Sequence, residues 1–181
     1  MLRQSDKKYI RVIQGECHVS DDPDVVLTTI LGSCVAACIR DPEVGVGGMN
    51  HFLLPGDASR LSPSSEGERY GAYLMEVLVN GLLRRGASRH RLEAKLFGGA
   101  SVVKSLSPIG LMNAQFAKNF LATEGIRIIG ESLGDERGRR VEYRPVSGHA
   151  RQLFVEAPAE VAAPISPPAL AASAAGAIEL F

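Results

Sequence analysis

Residues 34–54 read CVAACIRDPEVGVGGMNHFLL, and the stretch divides at one turn. Cys34 to Arg40 is a short apolar run, of a length that favours a strand over a helix. Asp41-Pro42-Glu43-Val44 is turn chemistry, and Gly45 to Leu54 runs mostly apolar again. The two arms read as a β-hairpin. With residues 41–44 as the loop, Arg40 faces Gly45 and Cys34 faces His51. Directly opposed side chains have Cβ atoms about 4.5–5.5 Å apart, close enough for a thiol and an imidazole to share a proton. The same face carries Ala36 opposite Met49 and Cys38 opposite Gly47, so the reactive pair stands alone at the open end. A slip of one residue would turn the pair to opposite faces.

The chemistry of such a pair follows from its proton equilibria. A free thiol titrates near 8.5, so only a few per cent is thiolate at neutral pH. A neighbouring imidazolium stabilises the thiolate and can later protonate a leaving group. A third group usually fixes the imidazole tautomer, and either Thr28 or Thr29 can supply it. The Gly32-Ser33 bend leaves backbone N–H groups near Cys34 as an oxyanion hole. Gly32, Ser33, Asn50, Gly98 and Gly99 form the wider candidate set for binding substrate or oxyanion. Against this stands the commoner fate of a cysteine in an apolar strand, which is simply to be core.

Outward from the hairpin, Tyr9 to Ile13 reads as a short strand, and Val25 to Leu31 as another, β-branched and apolar. Gly56 to Glu68 is rich in Ser, Gly, Pro and charge, a loop. Arg69 to Arg85 carries apolar residues at helical spacing, with Gly86 as its cap. Arg91 to Phe97 is a strand ending at Gly98-Gly99, and Leu111 to Glu124 a second helix. Ile126 to Glu131 and Arg139 to Pro145 are strands joined by a Gly-bearing turn, and Arg151 to Val155 is the last. From Glu156 to Phe181 alanine and proline dominate, a tail that cannot bury a core. The expected division is a domain at 1–155 and a disordered tail at 156–181.

Composition excludes several classes. The chain has 181 residues with 20 Lys+Arg against 20 Asp+Glu, a balance that argues against a nucleic-acid binder. Three cysteines cannot form a fully paired disulfide framework, and their spacing fits no common zinc pattern. No signal-peptide or membrane-spanning apolar run occurs, so a soluble, cytoplasmic protein with free thiols is expected. Cys17-His18 reads as a loop or strand pair, Cys38 as core, and His90 and His149 as solvated. The basic group Arg84, Arg85, Arg89, Arg91 and Lys95 reads as a charged helix end and strand edge, with a partner surface the alternative.

An ordered series of motifs resembles the chemoreceptor glutamine deamidases, the CheD family of bacterial chemotaxis. It runs through Leu31-Gly32-Ser33-Cys34-Val35-Ala36-Ala37-Cys38, Asp41-Pro42 and Gly48-Met49-Asn50-His51-Phe52-Leu53-Leu54-Pro55. It continues through Arg69-Tyr70-Gly71, Ala94-Lys95-Leu96-Phe97-Gly98-Gly99-Ala100, Ile109-Gly110 with Asn113, Glu124-Gly125-Ile126, Gly138-Arg139 and Ser147-Gly148. Met112, Ser101 to Val103, Ser132 and Asp135 depart from the family pattern. The resemblance implies an α+β fold of three layers, α-β-β, and a catalytic set of Cys34, His51 and Thr28, which selects Thr28 over Thr29. It implies hydrolysis of receptor glutamine side chains to glutamate through a Cys34 thioester, with no cofactor and no metal. The implied partners are cytoplasmic domains of methyl-accepting receptors and a CheC-type phosphatase. A non-catalytic adaptor in a chemotaxis complex is the alternative.

Overall fold

A computed structural model describes residues 6–54, 66–101 and 107–155. The expected tail at 156–181 lies outside them, as does most of the expected loop at 56–68. The strands are β1 (Lys8–Arg11), β2 (Cys17–Ser20), β3 (Val25–Leu31), β4 (Val35–Asp41), β5 (Val46–Asn50), β6 (Glu93–Gly98), β7 (Arg127–Leu133), β8 (Gly138–Tyr143) and β9 (Ala150–Val155). The helices are α1 (Glu66–Arg84) and α2 (Ser107–Thr123). One sheet runs β1-β3-β8-β9 and the other β2-β5-β4-β6-β7.

Strand β4 explains how these parts stack. Its Val35, Ala37 and Ile39 pack with Leu74, Met75, Leu78 and Leu82 of α1 and with Ala117 and Leu121 of α2. Ala36 and Cys38 point the other way, onto Leu27, Leu31, Val141 and Tyr143 of the four-stranded sheet. Helices cover one face of the five-stranded sheet and the second sheet covers the other, an α+β fold. A strand buried on both faces reads as a continuous apolar run, which is why CVAACIR shows no alternation.

Three sequence expectations shift. Cys17-His18, which the sequence leaves open between loop and strand, begins β2, a strand that pairs along β5 with Cys17 beside Asn50. The two strands expected around the Gly-bearing turn are β7 and β8, but they join different sheets, β7 on β6 and β8 on β3. The hairpin register moves by two residues: Asp41 faces Val46 and Arg40 faces Gly47, so the loop is 42–45. Asp41 causes this. Its carbonyl accepts from the Gly45 N–H (3.1 Å) and its carboxylate from the Glu43 N–H (3.0 Å), so it closes the turn as the last strand residue. An even shift keeps every side chain on its face. Cys34 and His51 therefore stay on one face as diagonal neighbours rather than direct opposites.

Candidate active site

Cys34 sits between the Gly32-Ser33 bend and β4. Its neighbour Val35 pairs with Phe52 in both directions, at 3.0 and 2.9 Å, which fixes the open end of the hairpin. Three successive carbonyls before β4 are tied down. Gly32 accepts from the Ala100 N–H (2.8 Å), Ser33 from Asn113 Nδ2 (3.0 Å) and Cys34 from the Gly99 N–H (2.7 Å). In a trans peptide the N–H points opposite the C=O, so drawing the Ser33 carbonyl towards α2 turns the Cys34 N–H the other way. That N–H faces its own sulfur.

Gly98 and Gly99 serve this bend as scaffold. Gly98 has φ +111, and a Cβ there would collide with the Cys34 carbonyl. The Gly99 N–H is already spent on that carbonyl, so it is not a donor to substrate. Asn50 is likewise committed: its Oδ1 accepts from the Ala37 N–H (3.0 Å) and its Nδ2 donates to the Leu74 carbonyl (3.2 Å). The contacts shown for these three candidates are all to the scaffold of the bend and the hairpin. Asn113, fully buried on α2, contributes more than its place in the motif series suggests. Besides Ser33 it binds the Leu54 N–H through Oδ1 (2.7 Å), clamping both arms of the hairpin mouth. A lone amide on the apolar face of a helix is the signal that marks it.

His51 is fixed on its backbone by the segment before β2. Its N–H donates to Glu16 (3.0 Å), and its carbonyl accepts from the Gly15 N–H (2.8 Å). The imidazole tautomer follows from counting protons. Thr29 Oγ1 lies 2.7 Å from the Val12 carbonyl and 2.9 Å from His51 Nδ1. A carbonyl can only accept, so the single hydroxyl proton goes to Val12 and Thr29 accepts from Nδ1–H. The lone pair is thus on Nε2, which is buried and without a hydrogen-bond partner among the described residues.

The hydroxyl that meets His51 Nδ1 is that of Thr29, where the resemblance implied Thr28. Along β3, Leu27, Thr29 and Leu31 are buried on the inner face. Thr28 alternates with them and shares the outer face with exposed Ile30.

Electrostatics set the resting state. Burial pushes the Cys34 thiol up to about 11, against a smaller opposing pull from its own backbone N–H. Burial holds His51 below its ordinary value, against the Val12 carbonyl and the Glu16 carboxylate, which favour the cation. Both shifts favour the uncharged forms, thiol and imidazole. The thiol donates to Gln14 Oε1 at 3.6 Å.

The remaining sequence candidates lie apart. Cys17 packs on the helix face of the five-stranded sheet, and Cys34 and Cys38 lie on the opposite face. Among the described residues no three His, Cys, Asp or Glu side chains gather to hold a metal ion. His90 and His149 are exposed. Most of the basic group is paired within the chain: Arg85 with Asp21, Arg89 with Glu124, Arg91 with Asp41, and Lys95 with the Gly148 carbonyl.

A protein-family model described as CheD chemotactic sensory transduction matches residues 53–152. The probable chemoreceptor glutamine deamidase CheD of Rhizobium meliloti is 59% identical, over 84% of this chain and 83% of that protein. Its namesake from Caulobacter vibrioides is 55% identical, over 95% of this chain and 92% of that one. Among solved structures, the hypothetical protein YfiH of Bacillus licheniformis aligns with 71% of this chain and 60% of its own, at 14% identity and a TM-score of 0.44. On the family match and on relatives this similar over this much of its length, the chain belongs to the CheD family.

Proposed function

We propose that this protein is a chemoreceptor glutamine deamidase in which Cys34 is the nucleophile, His51 the general base and acid, and Thr29 the positioning residue. The observation that carries the reading is the bare Nε2 lone pair of His51, its ring held by Thr29, on the Cys34 face of the hairpin. His51 Nε2 takes the thiol proton as sulfur attacks the substrate carboxamide carbon, and the charge that develops on oxygen meets the Cys34 N–H. The C–N bond then breaks, His51 returns the proton to the departing nitrogen, and ammonia leaves a thioester on Cys34. Water, deprotonated at the same Nε2, attacks that thioester. Glutamate and the free thiol result, and no cofactor enters the balance.

The resemblance further supports receptor cytoplasmic domains as substrate, work in the cytoplasm, and a CheC-type phosphatase as second partner. No described helix is long and apolar enough to cross a membrane. The test is ammonia release from a purified receptor fragment, with the converted glutamines mapped by mass. Wild type should convert them and Cys34→Ala should not. Equal conversion by both would reject Cys34 as nucleophile, and no conversion by either would leave a binding module.

A further inference from the structure

The group on the nucleophile is itself a primary carboxamide. Gln14 is exposed at the crest of a tight turn, and its Oε1 is the acceptor for the Cys34 thiol. The turn is rigid: Glu16 N–H donates to the Ile13 carbonyl (3.0 Å), the Ile13 N–H to Glu16 Oε2 (3.0 Å), and Gly15 takes φ +88. The same turn grips His51 from both sides through Gly15 and Glu16. One segment therefore holds the base and covers the nucleophile.

We propose that Gln14 is a specificity-determining residue that stands in for the substrate, its carboxamide occupying the place a substrate glutamine carboxamide must take. This deepens the deamidase reading and rests on it. A thiol has one proton. While that proton is directed to Gln14 it cannot be given to His51 Nε2, which stays unpartnered. The free site is thereby held uncoupled. An entering glutamine side chain displaces Gln14 and turns its carbonyl oxygen to the Cys34 N–H instead of the thiol, which leaves the thiol proton to the imidazole. Sulfur is a weak donor and Gln14 is exposed, so the exchange asks little of the incoming group. Gln14 itself resists conversion because the thiol proton, not the sulfur lone pair, faces its carboxamide.

The test uses the full chain and its Gln14→Ala and Gln14→Glu variants. Alkylation of Cys34 by iodoacetamide is timed at fixed pH, and kcat and KM are measured on a receptor fragment. Gln14→Ala should alkylate several-fold faster and lower KM with little change in kcat. Gln14→Glu places a carboxylate on the sulfur and should alkylate several-fold more slowly. Receptor conversion with alkylation and KM unchanged in Gln14→Ala, or with KM raised, would overturn the inference and leave the deamidase intact. Glu found at position 14 in wild type but not in Cys34→Ala would make Gln14 a substrate and would also overturn it. No receptor conversion by wild type, even with faster alkylation in Gln14→Ala, would instead sink the deamidase reading and the substrate mimicry with it.

Discussion

In the proposed mechanism His51 shuttles one proton between sulfur and nitrogen, which needs its second nitrogen committed, and the Thr29 hydroxyl is the nearer of the two groups that commit it. Removing that hydroxyl in Thr29→Val leaves Nδ1–H only its longer contact to the Val12 carbonyl (3.4 Å), a loss of about 1–2 kcal/mol, or roughly tenfold in rate. kcat on the receptor fragment should fall by about that factor, Thr29→Ser should restore it, and Thr28→Val should stay close to wild type. Comparable losses in both threonine variants would contradict the assignment. The resting charges predict a pH dependence as well. With the thiol at about 11, the alkylation rate of the free enzyme should climb through the alkaline range without a plateau near neutrality. In the proposed mechanism His51 is a neutral base, and with its pKa held down by burial the acid limb of kcat/KM should lie below the ordinary imidazole value of about 6.5. Cys34 and His51 are legible in the sequence because they share parity across a hairpin, and parity survives an even slip in register. Which threonine helps them is not, since Val26 and Ile30 beside Thr28 are as apolar as Leu27 and Leu31 beside Thr29.

At the scale of the element, the hairpin turn is held by a buried charge. Burial alone would raise the Asp41 carboxyl, but Arg91 and the N–H groups of Ser88 and Glu43 overcome it and bring it down to about 2. A carboxylate with a depressed folded value stabilises above its unfolded value of about 4, and that contribution is lost as pH falls towards the folded value. Wild type should lose stability more steeply between about pH 4 and pH 2 than Asp41→Asn, as followed by thermal melting at each pH. Parallel curves would show that the carboxylate is not what closes the turn. The sequence marks Asp41-Pro42 as turn but not where the turn begins, because that depends on Arg91, far along the chain. Strand β3 is legible over its full span, Val25–Leu31, as one continuous β-branched run. The short β2 carries no such run, and only its pairing with β5 makes it a strand.

At the scale of the molecule, the site is a meeting of distant segments: residues 12–16, Thr29, the hairpin mouth, Gly98-Gly99 and Asn113. Such convergence comes from stacking two sheets and a helix layer, which local pattern does not specify. The pattern does give many strands and two helices, but β7 and β8 show its limit, being consecutive in the chain and in separate sheets. Residues 157–181 add Ala and Pro to this framework and no apolar periodicity. We propose that they lie outside the catalytic domain, so a chain ending at 156 should retain melting temperature and deamidation rate. A fall in either would assign the segment a packing or docking role. The covalent step proposed for Cys34 is the centre of the mechanism, and hydroxylamine tests it most directly. Added during turnover, it should divert a Cys34 thioester to glutamyl hydroxamate on the receptor fragment, with wild type forming hydroxamate and Cys34→Ala forming none. Glutamate produced without hydroxamate, or hydroxamate produced by Cys34→Ala, would contradict a thioester on that residue.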